Sequence, residues 1–163
     1  MAVTIDGKTG KNSRHFPDWT ETDDKKLFAR ITRKAGVLIM GSKTFDTIGK
    51  PLPGRKNIVM SRDKKRVSEN SNLVFTEKEP GDILSDLSKE GFSEVIIAGG
   101  ATINSLFARS NLIDELIVTI SPKVFGKGIS LFEEDIAMDF QLVSCAKIGQ
   151  DTVLIKYKVK KDK

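Results

Sequence analysis

The sequence predicts an α/β fold with a mostly parallel central sheet, helices on both of its faces and an antiparallel hairpin at the C-terminal end. Three observations carry that expectation. Continuous apolar runs of strand length recur along the chain, helical segments separate them, and after Ile120 alternating strands flank Gly149-Gln150-Asp151. A run that is apolar throughout suits a strand covered on both faces, whereas alternation suits a strand with one face in solvent. Strand–helix repeats closed by a hairpin imply a parallel sheet with an antiparallel edge.

The elements follow in order. Met1 to Gly7 reads as a strand leading into a turn, and it meets a charge too early for a signal peptide. Thr20 and Thr22 offer N-caps to a helix whose first-turn acids, Asp23 and Asp24, suit the positive end of its dipole. That helix buries Leu27, Phe28 and Ile31 and runs to about Lys34. Val37 to Met40, Ile58 to Met60, Leu73 to Phe75, Val95 to Ala98 and Leu116 to Ile120 are the buried strands. Asp82 to Glu90 carries Ile83, Leu84 and Leu87 at helical spacing and stops at Gly91. Ala101 to Arg109 carries Ile103, Leu106 and Phe107 in the same way. Phe140 to Ala146 and Thr152 to Val159 form the hairpin. No internal repeat or linker divides the chain, so residues 1–163 are expected to form one domain.

Composition excludes several chemistries. Cys145 is the only cysteine and His15 the only histidine, which removes an intrachain disulfide, a multi-cysteine metal site and a zinc site built on histidines. His15 reads as a solvent-exposed loop residue. No apolar run approaches the roughly 20 residues of a membrane helix. The net charge of +5 gathers partly in Lys156, Lys158, Lys160, Lys161 and Lys163, which read as a solvated tail. Basic residues spread along a tail do not make a nucleic-acid groove, so the expected partner is a small molecule.

Two strand ends are marked by glycine. In Met40-Gly41-Ser42-Lys43-Thr44 a strand ends and a helix starts at once, placing free amides beside Lys43 and the Thr44 hydroxyl, as a phosphate requires. Ala98-Gly99-Gly100-Ala101-Thr102 repeats the arrangement, with paired glycines that let a ligand approach the backbone. A plain tight turn would explain either one alone. Together they suggest one extended phosphate-bearing ligand, although neither matches the Rossmann or Walker pattern. Ser61-Arg62 closes a third strand with a hydroxyl and a guanidinium, a pair suited to a phosphate monoester.

From Met40 through Pro51-Leu52-Pro53-Gly54-Arg55 to Arg62 the chain closely resembles dihydrofolate reductase, and Trp19, Asp24, Phe28 and Thr32 keep that family's spacing. The two ends instead resemble the pyrimidine reductases of riboflavin synthesis. This second likeness rests on Ala2 to Gly7, Gly99 to Asn104, Asp114-Glu115-Leu116 and Pro122. The resemblance implies a three-layer dihydrofolate reductase-like fold, an NADPH cofactor and a cytoplasmic enzyme of one-carbon metabolism that antifolates could inhibit. The implied reaction is reduction of 7,8-dihydrofolate to tetrahydrofolate; the alternative is a riboflavin-type pyrimidine reductase.

The roles implied by the resemblance are specific. Asp24 takes the catalytic role, binding the pterin through two charge-assisted hydrogen bonds, with Thr119 bonded to it. Asp23 remains eligible as a plain first-turn acid. Phe28, Ile48 and Ile103 line the pterin slot. Arg55 grips the α-carboxylate of the glutamate tail, or else pairs with an acid such as Asp46. Lys43 and Thr44 face the cofactor pyrophosphate, Ser61 and Arg62 its adenosine phosphate. Ala2, Gly10, Ala98, Gly99, Gly100, Ala101, Thr102 and Ile103 complete the cofactor surface. The segment from Gly10 to Trp19 corresponds to a lid. It holds Lys11, Asn12, Ser13 and Arg14 with no apolar anchor before Phe16, so it is expected to be mobile until NADPH binds.

Overall fold

The computed structural model describes residues 1–13, 15–133 and 135–161. Arg14 of the lid segment and Lys163 of the basic tail lie outside the described residues. The chain order is β1 (Ala2–Thr4), β2 (Lys8–Gly10), α1 (Thr22–Ala35), β3 (Val37–Gly41), α2 (Ser42–Ile48), β4 (Lys56–Met60), β5 (Leu73–Thr76) and α3 (Pro80–Lys89). It continues with β6 (Ile96–Ile97), α4 (Ala101–Arg109), β7 (Glu115–Ser121), β8 (Ile129–Ser130), β9 (Phe140–Ile148) and β10 (Thr152–Val159).

The expected layers are present. On β3, Val37, Leu38, Ile39 and Met40 are fully buried because successive side chains point to opposite covered faces. Val37 and Ile39 pack with Ile83 and Leu87 of α3 and Ile103 and Phe107 of α4. Leu38 and Met40 pack with Phe28 of α1 and Phe45 and Ile48 of α2. Helices therefore cover both faces of a parallel sheet ordered β5-β4-β3-β6.

The sheet is not continuous. A second sheet, β1-β7-β10-β9, pairs β1 with β7 in parallel and adds the C-terminal hairpin antiparallel, while β2 and β8 form a separate ribbon. No ladder joins β6 to β1 among the described residues. The strand expected over Val95 to Ala98 is Ile96–Ile97, and backbone bonds to β3 continue past it, from Ala98 N to Ile39 O and from Gly41 N to Gly99 O. Lys156 and Lys158 belong to β10 rather than to a tail, and Lys161 pairs with Asp114 at 2.7 Å.

Neither threonine caps α1. Glu21 takes the cap position, Thr20 donates to the Pro17 carbonyl, and the Glu21 carboxylate accepts from the amides of Gln150 and Asp151. The acid thus ties the start of α1 to the hairpin turn, a long-range use no local pattern announces. Asn57, fully buried at the start of β4, performs a similar service for the Pro51–Gly54 turn. Its amide accepts from Leu52 N and donates to the carbonyls of Leu52, Arg55 and Asn72. Replacing it by alanine orphans several buried backbone groups. Asn57→Ala should lower the unfolding free energy by about 2–4 kcal/mol in a urea titration; an unchanged midpoint would show that the turn is held by other means.

Candidate active site

Helix α1 carries the first half of the site. Asp24 and Asp23 separate cleanly: Asp24 is half-buried and accepts a 2.6 Å hydrogen bond at Oδ1 from the Thr119 hydroxyl of β7. Asp23 is exposed and faces Lys26 at 3.6 Å. One turn along from Asp24 stands Phe28, packed with Ile48 and Leu52 on the face of β3 that α1 and α2 cover. One further turn brings Thr32, which is fully buried and donates to the Phe28 carbonyl at 2.7 Å.

Thr32 is the seat of Arg55. Arg55 is 5% exposed as a residue; its Nη1 donates to the Thr32 hydroxyl and its Nε to the Pro53 carbonyl at 3.0 Å. Burial first, and the nearby Arg33 charge second, pull its pKa below the usual arginine value. No carboxylate among the described residues pairs with it. Asp46 is engaged elsewhere, in a two-pronged pair with Arg66 at 2.7 Å for each bond, which draws the Asp46 carboxyl below its usual range. A buried cation facing only neutral acceptors is costly unless an anion reaches it.

Ile103 departs from the expected slot. It lies 9% exposed in the other core layer, with Val37, Ile39 and Phe107, so the sheet separates it from Phe28 and Ile48. Its helix position turns it toward Gly41, where an added Cβ would come within 3.0 Å of it.

The second half of the site lies at the carboxyl ends of β6, β3 and β4, which are neighbours in the sheet. Gly41 N donates to Gly99 O at 2.8 Å, so the two glycine-marked ends are joined. A Cβ on Gly100 would stand 3.3 Å from the Thr44 hydroxyl, and one on Gly99, whose φ is +85°, would strike the Met1 side chain. Ala101 is buried at the start of α4, while Lys43 and Arg62 are exposed with no acid partner among the described residues. Ser61 continues β4 one step beyond the Met60–Gly41 pairing. This shallow cradle of amides, hydroxyls and free cations along three adjacent strand ends fits an extended phosphate-bearing cofactor. Thr102 is already bonded, to Glu133 at 2.7 Å. Ala2 sits beside Thr119 on β1, and Gly10 ends β2, paired to Ile129.

The lid segment has an anchor that its own sequence does not show. The Phe125 ring meets the rings of Trp19 and His15 at 5.1 and 5.4 Å, and the Lys11 ammonium lies over it at 5.4 Å. Phe16 is half exposed instead. His15 is only partly exposed, and its Nδ1 accepts from Lys11 N at 3.1 Å. Buried Trp19 Nε1, Ser121 Oγ and Thr152 Oγ1 have no hydrogen-bond partner among the described residues. Such atoms are commonly satisfied by internal water. The sequence gives no sign of the parts that Asn57 and Phe125 play, and it marks Thr32 by its spacing from Trp19, Asp24 and Phe28 without showing that it seats Arg55.

Comparison with known proteins agrees with this architecture. A family model described as the RibD C-terminal domain matches residues 1–154. The chain is 30% identical over 144 residues to dihydrofolate reductase type A13 of Escherichia coli, covering 86% of this chain and 80% of that protein. Among solved structures, Acinetobacter baumannii RibD superposes with a TM-score of 0.85 at 18% identity, covering 99% of this chain and 57% of the other. Dihydrofolate reductase from Enterococcus faecalis superposes with a TM-score of 0.73 at 19% identity, covering 98% and 94%. The fold is therefore the dihydrofolate reductase-like one.

Trp19 is the only tryptophan, so intrinsic fluorescence reports on the lid anchor alone. Phe125→Ala should shift its emission to the red and raise its quenching by acrylamide. Emission unchanged from the wild type would mean that Phe125 does not hold the segment.

Proposed function

The chain belongs to the RibD C-terminal domain family, and from that premise we propose that it is an NADPH-dependent reductase whose substrate is 7,8-dihydrofolate. One observation carries the substrate assignment: Asp24, Phe28 and the Thr32 seat of Arg55 follow one another along a single face of α1. Eight helical residues separate the acid from the seat, about 12 Å. A ligand laid along that face meets a carboxylate, then an aromatic and aliphatic wall, then a buried guanidinium. A pterin edge, an aminobenzoyl linker and a carboxylate present the complementary order.

NADPH bound along the three strand ends supplies the hydride. Lys43, Thr44 and the amides of Gly99 and Gly100 hold the pyrophosphate, and Ser61 with Arg62 holds the adenosine phosphate that distinguishes NADPH from NADH. Ala2, Gly10, Ala98, Ala101, Thr102 and Ile103 border the rest of the cofactor. Thr119 engages Oδ1 of Asp24 and leaves Oδ2 for the ring, so the acid is oriented before substrate arrives. Phe28, Ile48 and Leu52 exclude water from one side of the ring, and the lid pinned by Phe125 closes the entrance.

A second reading, reduction of a deaminated ribosylaminopyrimidine, draws its support from the family model and from the higher TM-score of the riboflavin-pathway protein. It fits the cofactor cradle equally well and leaves the Asp24–Arg55 spacing without a specific purpose.

Assaying NADPH oxidation with each substrate separates the two. We expect turnover with dihydrofolate. Arg55→Lys should raise its KM at least about tenfold, since an ammonium cannot reproduce two parallel bonds to a carboxylate. Asp24→Asn should cut turnover by about tenfold to a hundredfold. Turnover of the pyrimidine with none of dihydrofolate would transfer the assignment to the second reading.

A further inference from the structure

The loop that follows β4 is tied to α2 by a pair of side chains. Arg66 of the loop donates from Nη1 to Asp46 Oδ1 and from Nη2 to Asp46 Oδ2, each bond 2.7 Å long. The Arg66 guanidinium also lies over the Phe75 ring of β5, 5.8 Å from its centre, and that ring meets Phe45 of α2 nearly at right angles. Helix, strand and loop are joined at this point. Bonds within the loop carry the anchorage back to the strand end. Arg66 N donates to the Asp63 carbonyl at 3.2 Å, Lys65 N to Asp63 Oδ1 at 3.0 Å and Asp63 N to Ser61 Oγ at 3.1 Å. Ser61 N in turn donates to the Thr76 carbonyl of β5 at 2.9 Å. The segment from Ser61 to Arg66 is thus a closed turn clamped at both ends.

The turn presents cations selectively. Lys64 faces Glu77 at 3.3 Å and Arg66 is taken by Asp46, whereas Arg62 and Lys65 are exposed and pair with no acid among the described residues. The Ser61 hydroxyl accepts from Asp63 N and keeps its proton for an outside acceptor. On α2, Lys43 lies on the same side as Asp46, with Thr44 beside it. We infer that the Asp46–Arg66 pair is a strut that holds Ser61 and Arg62 at a fixed span from Lys43 and Thr44, and that it thereby sets the preference for NADPH over NADH. The inference rests on the reading that Ser61 and Arg62 receive the adenosine phosphate. Both strut residues act through others: Asp46 is itself an anion, and both terminal nitrogens of Arg66 already donate to it.

Two effects of Asp46 oppose each other. Its charge repels a nearby phosphate, but the group is exposed and salt screens it. Its bonds order the loop, and without them cofactor binding must immobilise the loop instead, at a cost of about twofold to tenfold in affinity. Charge alone therefore predicts tighter NADP binding in Asp46→Asn, and the strut predicts weaker binding.

The test is titration calorimetry of NADP and of NAD with the wild type, Asp46→Asn, Arg66→Gln, their double variant and Arg62→Ala. The wild type should prefer NADP. Asp46→Asn and Arg66→Gln should each shrink that preference about threefold to tenfold by weakening NADP, with NAD binding little changed. A general loss of structure would weaken both nucleotides and lower the melting temperature. The double variant has the net charge of the wild type, so its loss reports geometry. That loss should be no greater than for either single variant, because both act through one contact. Tighter NADP binding in Asp46→Asn would overturn the strut and leave Asp46 as a repelling charge. A further loss from Asp46→Asn to the double variant would also overturn it, by making Arg66 a phosphate ligand. If Arg62→Ala removes the preference while both strut variants keep it, the strut alone fails. If Arg62→Ala keeps it too, the adenosine-phosphate reading of Ser61 and Arg62 fails as well.

Discussion

Holding a guanidinium out of water requires acceptors placed for it, and that requirement at Arg55 organises much of the molecule. Its two neutral acceptors come from different elements, the Thr32 hydroxyl from α1 and the Pro53 carbonyl from the turn before β4. The turn must be stiff, which Pro51 and Pro53 provide by fixing φ and Asn57 secures with its buried amide. The helix must arrive in one rotational register, and packing Phe28 against the β3 face fixes that register. Once Thr32 and Phe28 are placed, Asp24 is placed too, because residues four apart share a helix face.

Helix α1 also spans the break in the sheet. At its first turn Asp24 bonds to Thr119 in the sheet that contains β1 and the hairpin; at its last turn Thr32 and Gly36 bond to Arg55 and Lys56 at the start of β4 in the parallel sheet. Neither end alone would align the two sheets, since no ladder joins β6 to β1 among the described residues. The proposed substrate slot lies along the helix that joins them. The cofactor cradle belongs to the parallel sheet, at strand ends where open α/β folds bind ligands.

Much of this was legible in the sequence. Four fully apolar residues in β3, helical spacing in α3 and α4, and the alternating hairpin gave the layers, because each signal is local and repeats with the period of its element. Asp24 could be chosen over Asp23 only through its spacing from Phe28 and Thr32, and its bond to Thr119 agrees with that choice. What escaped depends on contacts between distant segments. Glu21 reaching the hairpin turn, Phe125 gripping the lid and Asp46 choosing Arg66 over Arg55 are set by tertiary approach. Ile103 was misplaced for a related reason: helical spacing shows that a residue is buried, not which side of a sheet buries it.

Arg55 is proposed as a buried cation that meets a ligand carboxylate at the far end of α1 from Asp24. The decisive measurement follows the Arg55 Nε–H resonance by nuclear magnetic resonance as folate, and separately a tail-less pterin, is added in the presence of NADP. Folate should move the Arg55 resonance while the tail-less pterin leaves it in place, and both ligands should move the carboxyl carbon of Asp24. An Arg55 resonance that ignores folate while Asp24 responds would contradict that proposal.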